Sequence, residues 1–145
     1  MPILNYTLTP DGPIVLAQIG VSRPRAQALQ IAKQAVPSPV QIQMLVDTGA
    51  SSTCVEAGVL ASLGLPPAGQ ILMHSASTGG TPVAANQFDI SLAIVHPTLS
   101  FQIWAMPVIE CQPLSGTIQG LLGRDVLSHC MLVYQGQTNA FSLAF

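Results

Sequence analysis

The sequence predicts an all-β domain, and three features lead there. Short runs rich in Val, Ile, Leu and Thr recur from end to end, several with the apolar–polar alternation of a half-buried strand. Clusters of Pro, Gly, Asn, Asp and Ser fall between them, as in Pro10-Asp11-Gly12-Pro13 and Gln135-Gly136-Gln137-Thr138-Asn139. Stretches with helical character are few and short. At 145 residues the chain has the length of one domain. Residues 1–145 are therefore expected to form a single unit, burying about two thirds of its unfolded surface.

In chain order, residues 3–9 read as a strand, residues 10–13 as a turn and residues 14–21 as the returning strand, an N-terminal hairpin. Residues 22–39 are the most polar region and hold Arg23, Arg25 and Lys33. Within them, residues 26–35 have room for a turn or two of helix bracketed by Pro24, Pro37 and Pro39, and the whole segment reads as a surface insertion. Residues 40–46 are a strand, residues 52–55 resume an extended course, and residues 56–63 read as a short helix stopped by Gly64 and Pro66-Pro67. Two strand-like runs, 70–75 and 83–95, flank Ala76-Ser77-Thr78-Gly79-Gly80-Thr81-Pro82, a hairpin tip of small residues. Residues 98–106 form another strand that residues 108–111 extend, and residues 112–117 form a loop. Residues 118–122 are a short buried strand, 124–129 a short helix, 131–134 a strand and 140–145 an apolar closing strand. Trp104, Met44, Met73, Met106 and Met131 lie in these apolar runs and are expected in the core.

Composition excludes several function classes. Hydrophobic residues make up 49% of the chain and charged residues 7%. Ser, Thr, Gln and Asn must then cover most of the exterior, and some apolar surface is expected to be covered by a partner. A net charge of -2 gives no electrostatic basis for binding nucleic acid. No run of about 18 apolar residues is present to span a membrane, and no basic stretch before an apolar one marks a signal peptide. Cys54, Cys111 and Cys130 are odd in number and lack Cys-x-x-Cys spacing, so reduced thiols and a reducing compartment are favoured over a disulfide framework. His74, His96 and His129 lack metal-ligand spacing, and neither a metal nor another cofactor is expected. His74 reads as a surface or packing residue. No Gly-x-Ser-x-Gly elbow and no phosphate-binding loop occurs.

The chemistry is concentrated in Met44-Leu45-Val46-Asp47-Thr48-Gly49-Ala50-Ser51-Ser52. An apolar run drives one acid to its end, and small hydroxyl and glycine residues follow. A carboxylate at the tip of a core strand is costly unless it is hydrogen-bonded or shares a proton. Gly49 lets backbone N–H groups approach the acid with no Cβ in the way, and Thr48 offers a hydroxyl that can lock the turn against a partner. Such a carboxylate is suited to work on water. Asp47-Thr48-Gly49-Ala50-Ser51 resembles the active-site motif of aspartic proteases, and Gly120-Leu121-Leu122-Gly123-Arg124-Asp125-Val126-Leu127 resembles the hydrophobic–hydrophobic–Gly segment and short helix of the retroviral-type enzymes, the retropepsins.

That resemblance implies a single-lobe acid-protease barrel with a flap hairpin and one or two short helices. It implies Asp47 as the catalytic acid, with Thr48, Gly49, Ala50, Ser51, Leu122, Gly123, Arg124 and Asp125 supporting it. It also implies Ser75, Ala76, Ser77, Thr78, Gly79 and Gly80 as a flap over a polypeptide substrate. The chemistry needs two carboxylates sharing a proton, and the chain holds one Asp-Thr-Gly, with Asp11, Glu56, Asp89, Glu110 and Asp125 outside any second copy. A twofold homodimer in which each subunit donates Asp47 is the economical solution. In retropepsins the chain ends interleave into a sheet at the dimer interface; the alternative is that they pair within one subunit. Where viral enzymes place an acid near positions 51 and 52, this chain has Ser51 and Ser52. Arg124, which in the family often pairs with that acid, is expected to pair with Asp125 or to bond backbone, pinning helix to active-site loop. Two function classes follow: a homodimeric endopeptidase acting at acidic to near-neutral pH, or a dimerisation or peptide-binding module on the same fold. The intact Asp-Thr-Gly-Ala favours the first, because a binding module has no reason to keep a buried carboxylate pair.

Overall fold

Strands with one apolar face close on themselves in this chain. A computed structural model describes residues 1–75 and 79–145. In order come β1 (Ile3–Thr7), β2 (Ile14–Val21), α1 (Arg23–Ile31), β3 (Val40–Val46), β4 (Cys54–Glu56), α2 (Ala57–Ser62), β5 (Gly69–Met73), β6 (Val83–Val95), β7 (Phe101–Cys111), β8 (Ile118–Leu122), α3 (Arg124–Leu127), β9 (Met131–Gln135) and β10 (Ala140–Ala144). Hydrogen bonding runs β2-β3-β8-β4-β7-β6, and the additional β2–β6 pairing closes these strands into a six-stranded barrel. Closure removes the edges that an open sheet would expose. β5 adds to the long β6 outside that ring, with Met73 opposite Val83 at the turn end of the hairpin. A separate antiparallel sheet runs β1-β10-β9.

The core follows the two-residue period of the strands. In β3, Ile42, Met44 and Val46 are buried while Gln41 and Gln43 are exposed. β2 contributes Val15, Ala17 and Ile19 and β6 contributes Phe88, Ile90, Leu92 and Ile94 to the same cluster. Leu4, Phe141 and Leu143 of the small sheet continue it, so the two sheets share one hydrophobic core.

The structure departs from the sequence expectation in several places. The turn at residues 9–12 forms, with Thr9 and Gly12 exchanging backbone hydrogen bonds of 3.0 and 2.9 Å, yet β1 and β2 do not make a hairpin. Both edges of β2 are occupied, one by β3 and one by β6, so β1 pairs with β10 instead. The chain ends therefore meet within one chain. The helix of the polar segment begins at Arg23, earlier than expected, because Pro24 stands in its first turn, where no N–H is needed. None of its residues is buried. Trp104 and Met131 are surface residues, 57% and 56% exposed, on the outward faces of their strands. The guanidinium of Arg23 lies over the Trp104 ring, 5.7 Å from its centroid. Cys54, Cys111 and Cys130 are free thiols. No helix among the described residues is long and apolar enough to cross a membrane.

Candidate active site

The two sequence blocks meet because β3 and β8 lie side by side and run the same way, with Val46 opposite Leu122. Their C-terminal ends are thus neighbours: Asp47 leaves β3 where Gly123 leaves β8. The Asp47 amide donates to the Leu122 carbonyl at 3.0 Å, which fixes the acid at the barrel's rim. Its Oδ1 accepts the Gly49 amide at 2.8 Å. A Cβ on Gly49 would stand 3.1 Å from that oxygen, so the glycine keeps this approach open. The Ala50 amide closes the turn on the Asp47 carbonyl at 3.2 Å.

The start of α3 clamps this loop from behind. The Arg124 amide donates to the Ala50 carbonyl at 2.9 Å, and Arg124 Nη1 donates to the Thr48 carbonyl at 3.1 Å. Of the two arrangements expected for Arg124, the backbone one is present. Asp125 turns the other way. Its Oδ2 accepts the Thr53 amide at 2.8 Å, and its Oδ1 accepts the Thr53 hydroxyl at 2.6 Å and the Val126 amide at 2.9 Å. Thr53 is fully buried, and its Oγ1 in turn accepts the Gly123 amide at 3.0 Å. The sequence reading missed Thr53. Its one visible signal is a hydroxyl opening an otherwise apolar run, and a buried hydroxyl needs a partner.

Asp47 opens onto a cavity of about 410 Å³ lined by Gly49, Ala50, Ser51, Ser52, Cys54, Ile109 and Leu121 on the barrel side and by Met73, His74 and Ser75 from the β5 side of the hairpin. His74, expected at the surface or in packing, thus stands at this cavity. A second cavity of about 420 Å³ shares Cys54, Met73, Ser75 and Leu121 with it and reaches the 110–114 segment and the start of β6. Of the six residues expected to form a flap, Ser75 lines both cavities. Gly79 and Gly80 lie at the hairpin turn with φ of 60° and 83°. Ala76, Ser77 and Thr78 lie outside the described residues. The Thr48 side chain is exposed and borders, with Arg124, Leu127, Ser128 and Leu132, a mainly apolar hollow of about 330 Å³ beside the clamp.

None of the other acids lines the Asp47 cavity. Glu56 Oε1 accepts the Leu114 amide at 2.7 Å, Glu110 Oε2 accepts from Asn86 at 2.7 Å, and Asp89 lines a cavity beside Arg25 and Pro66. Among the described residues no group of three or more His, Cys, Asp or Glu is placed to hold a metal ion.

Residues 23–126 match the sequence profile of a family described as "Aspartyl protease". No curated protein matches the chain. Among solved structures, a retropepsin-like aspartic protease from Rickettsia conorii is similar in fold, with a TM-score of 0.56 at 15% identity, over 98% of this chain and 90% of that one.

Proposed function

The chain belongs to the aspartyl protease family, and on that footing we propose that it is an aspartic endopeptidase whose active centre forms across a homodimer. Asp47 of each copy supplies one carboxylate. Two such groups within a few ångströms cannot both ionise, so the pair holds one proton between them. The ionised member takes a proton from a bound water, and the oxygen of that water attacks the scissile carbonyl carbon. The protonated member donates a hydrogen bond to the carbonyl oxygen and carries the developing charge. Proton return to the amide nitrogen then lets the C–N bond break. The substrate lies extended between the β5–β6 hairpin and the barrel rim, held by main-chain hydrogen bonds, with the two cavities receiving side chains.

One observation carries this reading. Asp47 is fixed at the floor of a cavity by the Gly49 amide, while Asp125, the acid nearest to it in the motifs, is consumed by Thr53 and Val126. A working pair then requires a second copy. Digestion of a peptide library by wild type and by Asp47→Asn is the test. Cleavage with defined positional preference is expected from wild type at acidic to near-neutral pH and none from the variant. Residual turnover by a folded Asp47→Asn protein would overturn the assignment.

A further inference from the structure

Two thiols stand in the wall of the cavities just described, and the peptidase mechanism uses neither. Cys54 begins β4 at the boundary between the two cavities, and Cys111 ends β7 in the second. β4 and β7 run parallel, with Cys54 opposite Ile109 and Glu56 opposite Cys111, so the cysteines are diagonal neighbours on one face. From this geometry we infer that Cys54 and Cys111 form a reversible redox gate in the substrate cleft, closed by a peroxide or by a small disulfide.

The geometry says how closure would act. A strand spacing of about 4.8 Å and two residues of rise put such diagonal neighbours about 8 Å apart, and a disulfide needs its Cα atoms within about 7 Å. Linking them draws the end of β7 toward the start of β4. The 54–56/109–111 ladder ends at Cys111, so the chain beyond it is free to yield, while Cys54 stays paired to both β7 and β8. Leu114, in the following segment, is held to Glu56 by the 2.7 Å bond from its amide, and it lines the same cavity. Closure therefore narrows a side-chain pocket next to Asp47 and leaves the carboxylate itself untouched.

The two sulfurs have different characters. The nearby Cys111 thiol lowers the Cys54 pKa despite its burial. The same contact, with burial, raises that of Cys111. Cys54 is thus the readier thiolate and Cys111 the resolving thiol. With hydrogen peroxide, the Cys54 thiolate takes one oxygen to give the sulfenic acid and releases hydroxide, which the released thiol proton neutralises to water. The Cys111 sulfur then displaces the sulfenic oxygen as a second water, so two thiols and one peroxide give one disulfide and two waters. A small dithiol reverses the reaction by exchange. Cys130 lies apart, its thiol directed at the Val126 carbonyl at 3.6 Å.

The experiment treats full-length Cys130→Ser protein with hydrogen peroxide, and separately with oxidised glutathione, and follows it by intact mass and non-reducing peptide mapping. Loss of two hydrogens and a linked 54–111 peptide are expected, with both thiols recovered by dithiothreitol. Cys111→Ser in the same background should give no link. The effect on cleavage rests on the peptidase reading: oxidation should lower it about tenfold or more, reversibly, since small misplacements at a cleft are costly. No link, or a link that leaves cleavage unchanged, overturns the gate. Because the mass measurement does not require turnover, a link formed in a protein that cleaves nothing supports the thiol chemistry and counts against the peptidase reading instead.

Discussion

At the scale of single residues, Tyr6 and Asp47 show how differently a polar side chain is treated. Asp47 has the Gly49 amide on its carboxylate, whereas the Tyr6 hydroxyl is buried with no hydrogen-bond partner among the described residues. The Tyr6 ring is well used: it stacks on Phe141 with centroids 4.7 Å apart and meets His96 edge-on at 5.3 Å. Tyr6→Phe keeps the ring and removes the orphaned oxygen, so it should stabilise the fold by about 1 kcal/mol. Burial also pushes the Tyr6 pKa up to about 12. Between the unfolded value near 10 and that raised value, the unfolded chain ionises first, so the contribution is complete below pH 10 and is lost as pH rises toward 12. The advantage of Tyr6→Phe should then grow from pH 9 to pH 11.5, measured by urea midpoints; a variant less stable than wild type at pH 9 would refute the account. Asp47 was legible in the sequence because an apolar run ending in an acid is chemically unusual. Trp104 was misread because an aromatic in an apolar strand is usually inside, and the Arg23 guanidinium over its ring is a tertiary contact that local pattern does not reveal.

At the scale of elements, the site depends on how closely the start of α3 approaches the loop after Asp47. A Cβ on Gly123 would lie 2.5 Å from the Ser52 carbonyl carbon and 2.8 Å from its oxygen, both backbone atoms that cannot step aside. Gly123→Ala should therefore push α3 away, strip Thr53 of its partners and cost about 3 kcal/mol. Gly49→Ala makes the contrast. Its added carbon meets only the Asp47 carboxylate, at 3.1 Å, and the residue is exposed. The fold should change by about 0.5 kcal/mol or less, while kcat falls because the carboxylate is displaced. Thermal melts and peptide kinetics on the pair check this, and equal loss of stability in both would refute it. Most strands were readable from alternation and turn chemistry, and β8 was read to the residue. Pairing was not, because local pattern carries no information about which edge is free. The β1–β2 hairpin failed on that ground, as both ladders of β2 were already taken. The meeting of the two motifs likewise rests on the parallel β3–β8 register, a contact between distant segments.

At the scale of the whole molecule, the surface is uneven in a way that bears on the second subunit. β1 and β9 are the outer strands of the small sheet, and Ile3, Met131, Val133 and Tyr134 on them are between 40% and 59% exposed. Because β1 and β10 pair within one chain, an interleaved sheet of chain ends would require that pairing to be exchanged. A second copy could instead meet the outer edges, or the hollow beside Thr48, leaving each subunit's sheet intact. Either way the proposed shared centre would belong to the pair rather than to the chain, and that property can be measured without knowing the contact surface. When wild type is allowed to exchange subunits with a threefold excess of Asp47→Asn at fixed total concentration, a shared centre needs two wild-type chains in one dimer. Activity should fall to about one sixteenth of the undiluted value, since random pairing squares the wild-type fraction. A centre complete in each chain would leave about one quarter, because only the number of intact chains would count. Specific activity of the wild type alone should also decline on dilution as dimers dissociate, since the folded pair is favoured by mass action. A value near one quarter in the mixing experiment, with no loss on dilution, would place both catalytic groups within one chain and remove the shared carboxylate pair.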